Sequence, residues 1–179
     1  GIIVSVLMGM ILTLPISSAA LGVILNLSGL AAGAATVGCC CNMLGFAVIS
    51  YPDNGVGGLV AQGLGTSMLQ VPNLMRKPVL WIPPVLTSAI LGPVATCIFQ
   101  LRNNGAAISS GMGTAGLVGP IGIITGWSNM PKGYAPGAFN WVGMILVCFI
   151  LPVVLSWAIG KFMRKKGWIK EGDLKVDLG

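Results

Sequence analysis

The sequence predicts an all-α, polytopic membrane protein with about four transmembrane helices and two re-entrant helical hairpins. Three observations carry that reading. Hydrophobic residues fill 55% of the 179 positions and charged residues 8%, where an ordinary soluble domain has roughly 25% charged. The charge is also segregated: of fourteen charged residues, nine lie at or after Lys161, and the first 52 positions carry none. A surface built from such a chain would lack solvating groups, which excludes a soluble fold. Finally, 27 glycines and 11 prolines interrupt helix continuity too often for a bundle of straight spans.

The elements follow in order. The apolar run 2–27 is long enough to cross a hydrocarbon core of about 30 Å at about 1.5 Å per residue, with a kink expected at Pro15. Residues 30–51 form a second span, whose early Gly and Ala suit close helix packing. Residues 79–99 form a third, with Trp81 and Pro83-Pro84 near one end. Residues 139–162 form a fourth, bracketed by Trp141 and Trp157 as interfacial anchors. Residues 1–162 are thus a membrane domain and 163–179 a basic cytoplasmic tail. The chain opens on Gly1 with no basic stretch, initiator Met or small-residue cleavage site, which argues against a signal peptide and for the C-terminal part of a longer polypeptide.

Two segments do not fit this series. Residues 55–73 hold five Gly and Pro72, and residues 105–127 hold seven Gly and Pro120. Hydropathy alone would make the second a span, but charge placement argues otherwise. Lys161, Arg164, Lys165 and Lys166 belong on the cytoplasmic face, and so does the pair Arg76 and Lys77. An even number of crossings must separate them, and spans 79–99 and 139–162 supply it. Residues 105–127 therefore enter and leave by the outer face, and 55–73 lies against the inner one. Asn54, Arg76 and Lys165 are expected in the cytoplasm, with Asn103, Arg102 and Lys132 outside.

Each segment carries the pattern Gly-x-Gly-Thr, at 63–66 and again at 111–114, 48 positions apart. Two arms of about ten residues reach roughly 15 Å, half the hydrocarbon thickness, so tips from opposite faces would meet near the midplane. Irregular backbone at that depth persists only where it lines a cavity or is buried in protein. Paired broken segments also point to a transporter's binding site. Gly-x-Gly alone serves close helix packing equally well. The neutral polar residues around both elements favour a ligand, because amides and hydroxyls are costly in hydrocarbon unless paired. Such groups suit a neutral, multiply hydroxylated solute, a sugar or polyol. The expected contacts are Gln62, Thr66, Ser67, Asn73, Asn104 and Thr114.

Other candidates read as structural. Cys39, Cys40 and Cys41 would point about 100° apart on a helix and cannot share one metal; with Cys97 and Cys148 they are expected to be buried thiols. No metal, cofactor or nucleic-acid partner is expected. Asn26 and Asn42 are expected to form interhelical hydrogen bonds. Asp53, in YPDNG, reads as a solvated turn, with cation or hydroxyl binding as the alternative. The basic tail is read as a positive-inside anchor that meets anionic membrane lipids.

The segments NGVGGLVAQGLGTSMLQVPN, WIPP, ILGPVAT, GMGTAGLVGPIG and FMRKKGWIKEGDLK resemble the phosphotransferase-system enzyme IIC-like membrane family, which includes perfringolysin (toxin) regulators. The resemblance covers nearly the whole chain. It implies a multi-pass sugar permease of the bacterial plasma membrane, a homodimer, moving its solute by an elevator-like shift of a hairpin-containing domain. Glucose-type permeases of similar architecture bind sugar through a membrane-embedded Glu and often a His. This chain has no His, and its only Glu, Glu171, lies in the tail. No catalytic residue is therefore assigned, and any phosphate would come from separate cytoplasmic phosphocarrier proteins. The expected function is binding and translocation of a neutral sugar-like solute between the two hairpins. The alternative is a membrane-bound sensor or regulator of gene expression that keeps the permease fold.

Overall fold

The computed structural model describes residues 1–131 and 135–178; Lys132, expected outside, lies beyond the described residues. No strand occurs among them. Three helices are long and apolar enough to cross a membrane. They are α3 (Gly29–Ile49), α6 (Pro78–Ile98) and α8 (Ala138–Lys165), each close to an expected span. Shorter helices are α1 (Ile2–Thr13), α2 (Ser18–Ile24), α4 (Tyr51–Val60), α5 (Val71–Arg76) and α7 (Val118–Gly126).

The expected first span is instead two short helices. Leu14, pushed out of the helical region by the following Pro15, is extended at φ −74°, ψ 160°. Ser17 then caps α2 by accepting a hydrogen bond from the Ala20 N–H. At about 18 Å, α1 is too short to cross a bilayer by itself. Asn26 is a second departure: it sits exposed in the turn after α2 with φ 46°, so it bridges no helices. Asn42 does bridge, donating to Ser88 Oγ of α6 at 3.1 Å. Cys97 is exposed, while the other four cysteines are buried.

Helix α3 is the axis of the molecule. Its face toward α1 is made of small residues, and the two backbones nearly touch. A Cβ at Gly38 would lie 1.9 Å from the Ser5 carbonyl oxygen, and one at Gly9 2.5 Å from the Gly38 oxygen. Ser5 Oγ donates to the Ser88 carbonyl at 3.0 Å, tying α1 to α6 as well. Such approach without side-chain bulk is how helices associate where no hydrophobic effect separates protein from lipid. The long helices α6 and α8 tolerate their prolines by local rewinding: a π-turn follows Pro93 at Val94–Ile98, and another precedes Pro152 at Leu146–Ile150.

The two ends of α3 are chemically different. At the first, Gly29 N–H donates to Asn104 Oδ1 and the Asn103 N–H to the Gly29 oxygen. At the other, Phe46 and Ile49 pack with Leu74, Leu80, Met163, Ile169 and Leu174. The last two belong to the tail, which is folded onto the helices rather than extended from them. Gly38→Ala tests the α1–α3 contact by its sign. Alanine at a lone helix position would stabilise by about 1 kcal/mol, but here overpacking should cost about 1–3 kcal/mol. Thermal unfolding in detergent should fall for Gly38→Ala and hold for Gly65→Ala, where a Cβ meets nothing within 4 Å.

Candidate solute site at the junction of two glycine-threonine elements

The first Gly-x-Gly-Thr element follows α4. That helix is already bent at Gly55, whose φ of 61° and ψ of −156° lie outside helical space. It passes into a π-turn at Ala61–Gly65 and breaks at Thr66, which is extended at φ −153°, ψ 136°. Thr66 Oγ1 accepts from the Met68 N–H and caps the 3₁₀ turn Ser67–Gln70, which leads into α5.

The second element lies between two 3₁₀ turns, Ala107–Gly111 and Ala115–Leu117. Gly113, Gly116 and Leu117 all have positive φ, at 53°, 52° and 60°. Left-handed geometry is ordinary for glycine but costs a branched-chain residue such as Leu117 on the order of 1–3 kcal/mol. The strain reverses the chain, so that α7 returns alongside and the Gly119 N–H bonds the Gly113 oxygen.

The two elements meet over the middle of α3. Thr114 Oγ1 donates to the Gly63 carbonyl at 2.5 Å and lies 3.6 Å from Met43 Sδ of α3. Gly113 sits so close to α3 that a Cβ there would fall 2.7 Å from the Cys39 carbonyl carbon. Gly63 rests against Leu44 and Ala47. Thr114, Gln62 and Ser67 are fully buried, while Leu64, Gly65 and Thr66 are exposed.

Beside this junction runs a chain of amides, buried at Gln62 and Gln70 and half-buried at Asn73. Gln62 Nε2 donates to Ser50 Oγ at 2.8 Å, and Gln62 Oε1 accepts from Gln70 Nε2 at 2.9 Å. Gln70 Oε1 in turn accepts from Asn73 Nδ2 at 2.9 Å. Spare donors of the same groups reach the tail: Gln70 bonds the Leu174 oxygen and Asn73 the Lys175 oxygen. Ser67 Oγ pairs with Thr13 Oγ1 at 2.8 Å, joining the junction to the end of α1.

Five of the six predicted contacts thus lie on or near this junction: Gln62, Thr66, Ser67, Asn73 and Thr114. Asn104 does not join them. It caps the Gly29 end of α3, with its amide nitrogen 3.0 Å from Met130 Sδ. Gln70 is the central link that the predicted set omits, although its spacing of three from Asn73 places both on one helical face. Thr13, Ser50 and the tail carbonyls carried no local signal, because only the tertiary fold brings them near.

Ion pairs hold the tail against the same end of the molecule. Asp53, expected in a solvated turn, has a side chain only 1% exposed and pairs with Arg164 at 3.1 Å. Its other oxygen accepts from the Gly172 N–H. Arg164 also donates to the Ile49 carbonyl at the end of α3. Lys77 pairs with Asp173. Partial burial pushes the Asp173 carboxyl up, but the Lys77 ammonium and the Lys170 N–H outweigh it and hold the group below its ordinary range.

Gln70→Leu should expose how far this network matters. It leaves Gln62 Oε1 without its donor, at about 1–3 kcal/mol for a buried group left unmade, and removes one of the two donors to the Leu174 oxygen, which keeps the Asn54 amide. Hydrogen exchange is expected to speed up at residues 172–176 and at 62–66 together, while α6 keeps its protection. Loss confined to position 70 would show that the amides are not coupled.

Comparison with curated proteins and with solved structures finds no match. A family model does match, over residues 1–176, and its description is Phosphotransferase system, EIIC. The match spans α1 through the docked tail, so both Gly-x-Gly-Thr elements and the amide chain fall within it. The all-helical architecture of the described residues, three helices long and apolar enough to cross a membrane, and this match agree: the chain belongs to the phosphotransferase system EIIC family, whose members are membrane proteins of sugar transport.

Proposed function

We propose that the junction of the two Gly-x-Gly-Thr elements binds a neutral sugar or polyol and hands it across the membrane. Residues 55–73 and 105–127 then act as re-entrant hairpins entering from opposite faces. The observation that carries this reading is the Thr114–Gly63 hydrogen bond over the centre of α3. It brings two irregular, hydroxyl-bearing turns together where irregular backbone must either line a cavity or be covered by protein. Thr66, Gln62, Ser67, Thr114 and Asn73 are the proposed contacts; Asn104 acts at the far end of α3, lining the outer approach.

The buried hydroxyls and amides now bond within the protein. A solute hydroxyl, which both donates and accepts, can replace such a bond at little net cost, since one hydrogen bond is exchanged for another. That exchange separates the two turns and so couples occupancy to a shift of one element against the other. In this reading residues 1–162 form the membrane domain and 163–179 a cytoplasmic tail in a bacterial plasma membrane. The protein pairs with a second copy, and phosphate, where used, arrives on separate cytoplasmic phosphocarriers.

Thr66→Val and Thr114→Val test the site. Each nearly preserves shape but removes a hydroxyl, so binding should weaken by about 1–3 kcal/mol. The readout is the thermal stabilisation that a panel of neutral sugars and polyols gives the purified full-length protein, measured relative to each variant's own baseline. Because both threonines meet one solute, the double variant should depart from additivity by more than about 0.5 kcal/mol. A sugar that stabilises parent and variants equally would place its site elsewhere. If no neutral solute stabilises the parent, the regulator reading replaces transport.

A further inference from the structure

A cleft of about 440 Å³ opens at the Ile49 end of α3, between α4 and the C-terminal part of α8. Its walls are Val48, Ile49, Pro52 and Leu59, with Tyr51, Trp157, Lys161 and Arg164 around it. Gly160 forms part of the floor and lets Ile49 approach so closely that a Cβ there would fall 2.6 Å from the Ile49 side chain. The cleft is therefore apolar inside and cationic at one edge, a division that neither a sugar nor a peptide strand requires.

Its depth along α8 decides what it meets. The helix has 28 residues, about 42 Å, some 12 Å more than the hydrocarbon core. Lys161, Arg164 and Lys165 lie in the last turns, within that excess. Lys161 Nζ stands 4.8 Å over the Trp157 ring, which fixes an exposed ammonium above an amphipathic indole of the kind that settles at the headgroup layer. Arg164 is largely neutralised by Asp53, so Lys161 supplies the uncompensated charge at the cleft.

We infer that this cleft is a binding site for an anionic phospholipid, its phosphate at Lys161 and one acyl chain along Val48, Ile49 and Leu59. The lipid's two chemistries match the two halves of the cleft: a phosphate beside the ammonium, and a chain against aliphatic walls. Because Arg164 also reaches the Ile49 carbonyl and Asp53, an occupied cleft sits directly against the ion pair that anchors the tail.

The test uses full-length protein in a neutral detergent, titrated with phosphatidylglycerol, with phosphatidylcholine of the same chains, or with inorganic phosphate, and followed by thermal unfolding. Phosphatidylglycerol should stabilise at the lowest concentration; phosphatidylcholine and phosphate should not reproduce it. Lys161→Gln should raise the half-saturating phosphatidylglycerol by about fivefold, the effect of about 1 kcal/mol for one cation near an anionic headgroup. Lys166→Gln removes an equal charge outside the cleft and should leave the curve in place. Leu59→Trp, which fills the cleft without altering charge, should weaken the response as Lys161→Gln does. Equal losses at positions 161 and 166 would show a general surface charge effect and overturn the site. Equal stabilisation by both lipids, or by phosphate alone, would overturn it too.

Discussion

At Gly33 and Gly38 helix α3 has no room for even a Cβ between itself and its neighbours, and much of the molecule is arranged by that restriction. Gly38 lies against the Ser5 carbonyl, Gly33 against the Leu101 carbonyl, and Cys39 against Gly113. Backbones that approach this closely bring their polar groups with them. In a lipid-facing protein each such group must find a partner inside the structure. The consequence is visible at three levels along α3. Asn103 and Asn104 satisfy its first turn, the paired glycine-threonine turns cover its middle, and Arg164 takes up the Ile49 carbonyl at its end.

That arrangement accounts for the second glycine-threonine element, where glycine permits the close seat on α3 and the reversed backbone and threonine supplies a hydroxyl that closes the gap. Gly113 does both, with positive φ and no room for a Cβ. In the first element Thr66 stays exposed and caps its own turn. In the proposed transport cycle the Thr114–Gly63 bond is the link that a solute opens. The chain of hydrogen bonds from Ser50 through Gln62, Gln70 and Asn73 joins the first element to the tail, whose Gly172 N–H in turn bonds Asp53 of the Asp53–Arg164 pair.

Much of the architecture was legible because its signals are local. Long uncharged runs place α3, α6 and α8 to within a few residues, since length and hydropathy decide a membrane helix. Gly, Pro and the repeated Gly-x-Gly-Thr mark the two broken segments for the same reason. What escaped was tertiary. Pro15 does more than kink a span, because Leu14 and Ser17 together end one helix and cap the next. The tail is amphiphilic enough to read as a basic anchor, yet Ile169 and Leu174 are buried in the core. Asp53 looked like a turn residue because its partner, Arg164, is 111 positions away. Asn104 shares the chemistry of the junction residues but not their place.

The central claim is that the exposed rim of the junction, Leu64 to Thr66, faces the solute. Its most direct measurement is solute protection of a single thiol. Thr66→Cys, in a full-length background with the five native cysteines replaced, is alkylated with and without a sugar that stabilises the protein. Met75→Cys, exposed on α5, serves as the reference. The account predicts that the sugar slows alkylation at position 66 and leaves position 75 unchanged. Unaltered rates at position 66 at a saturating sugar concentration would contradict it.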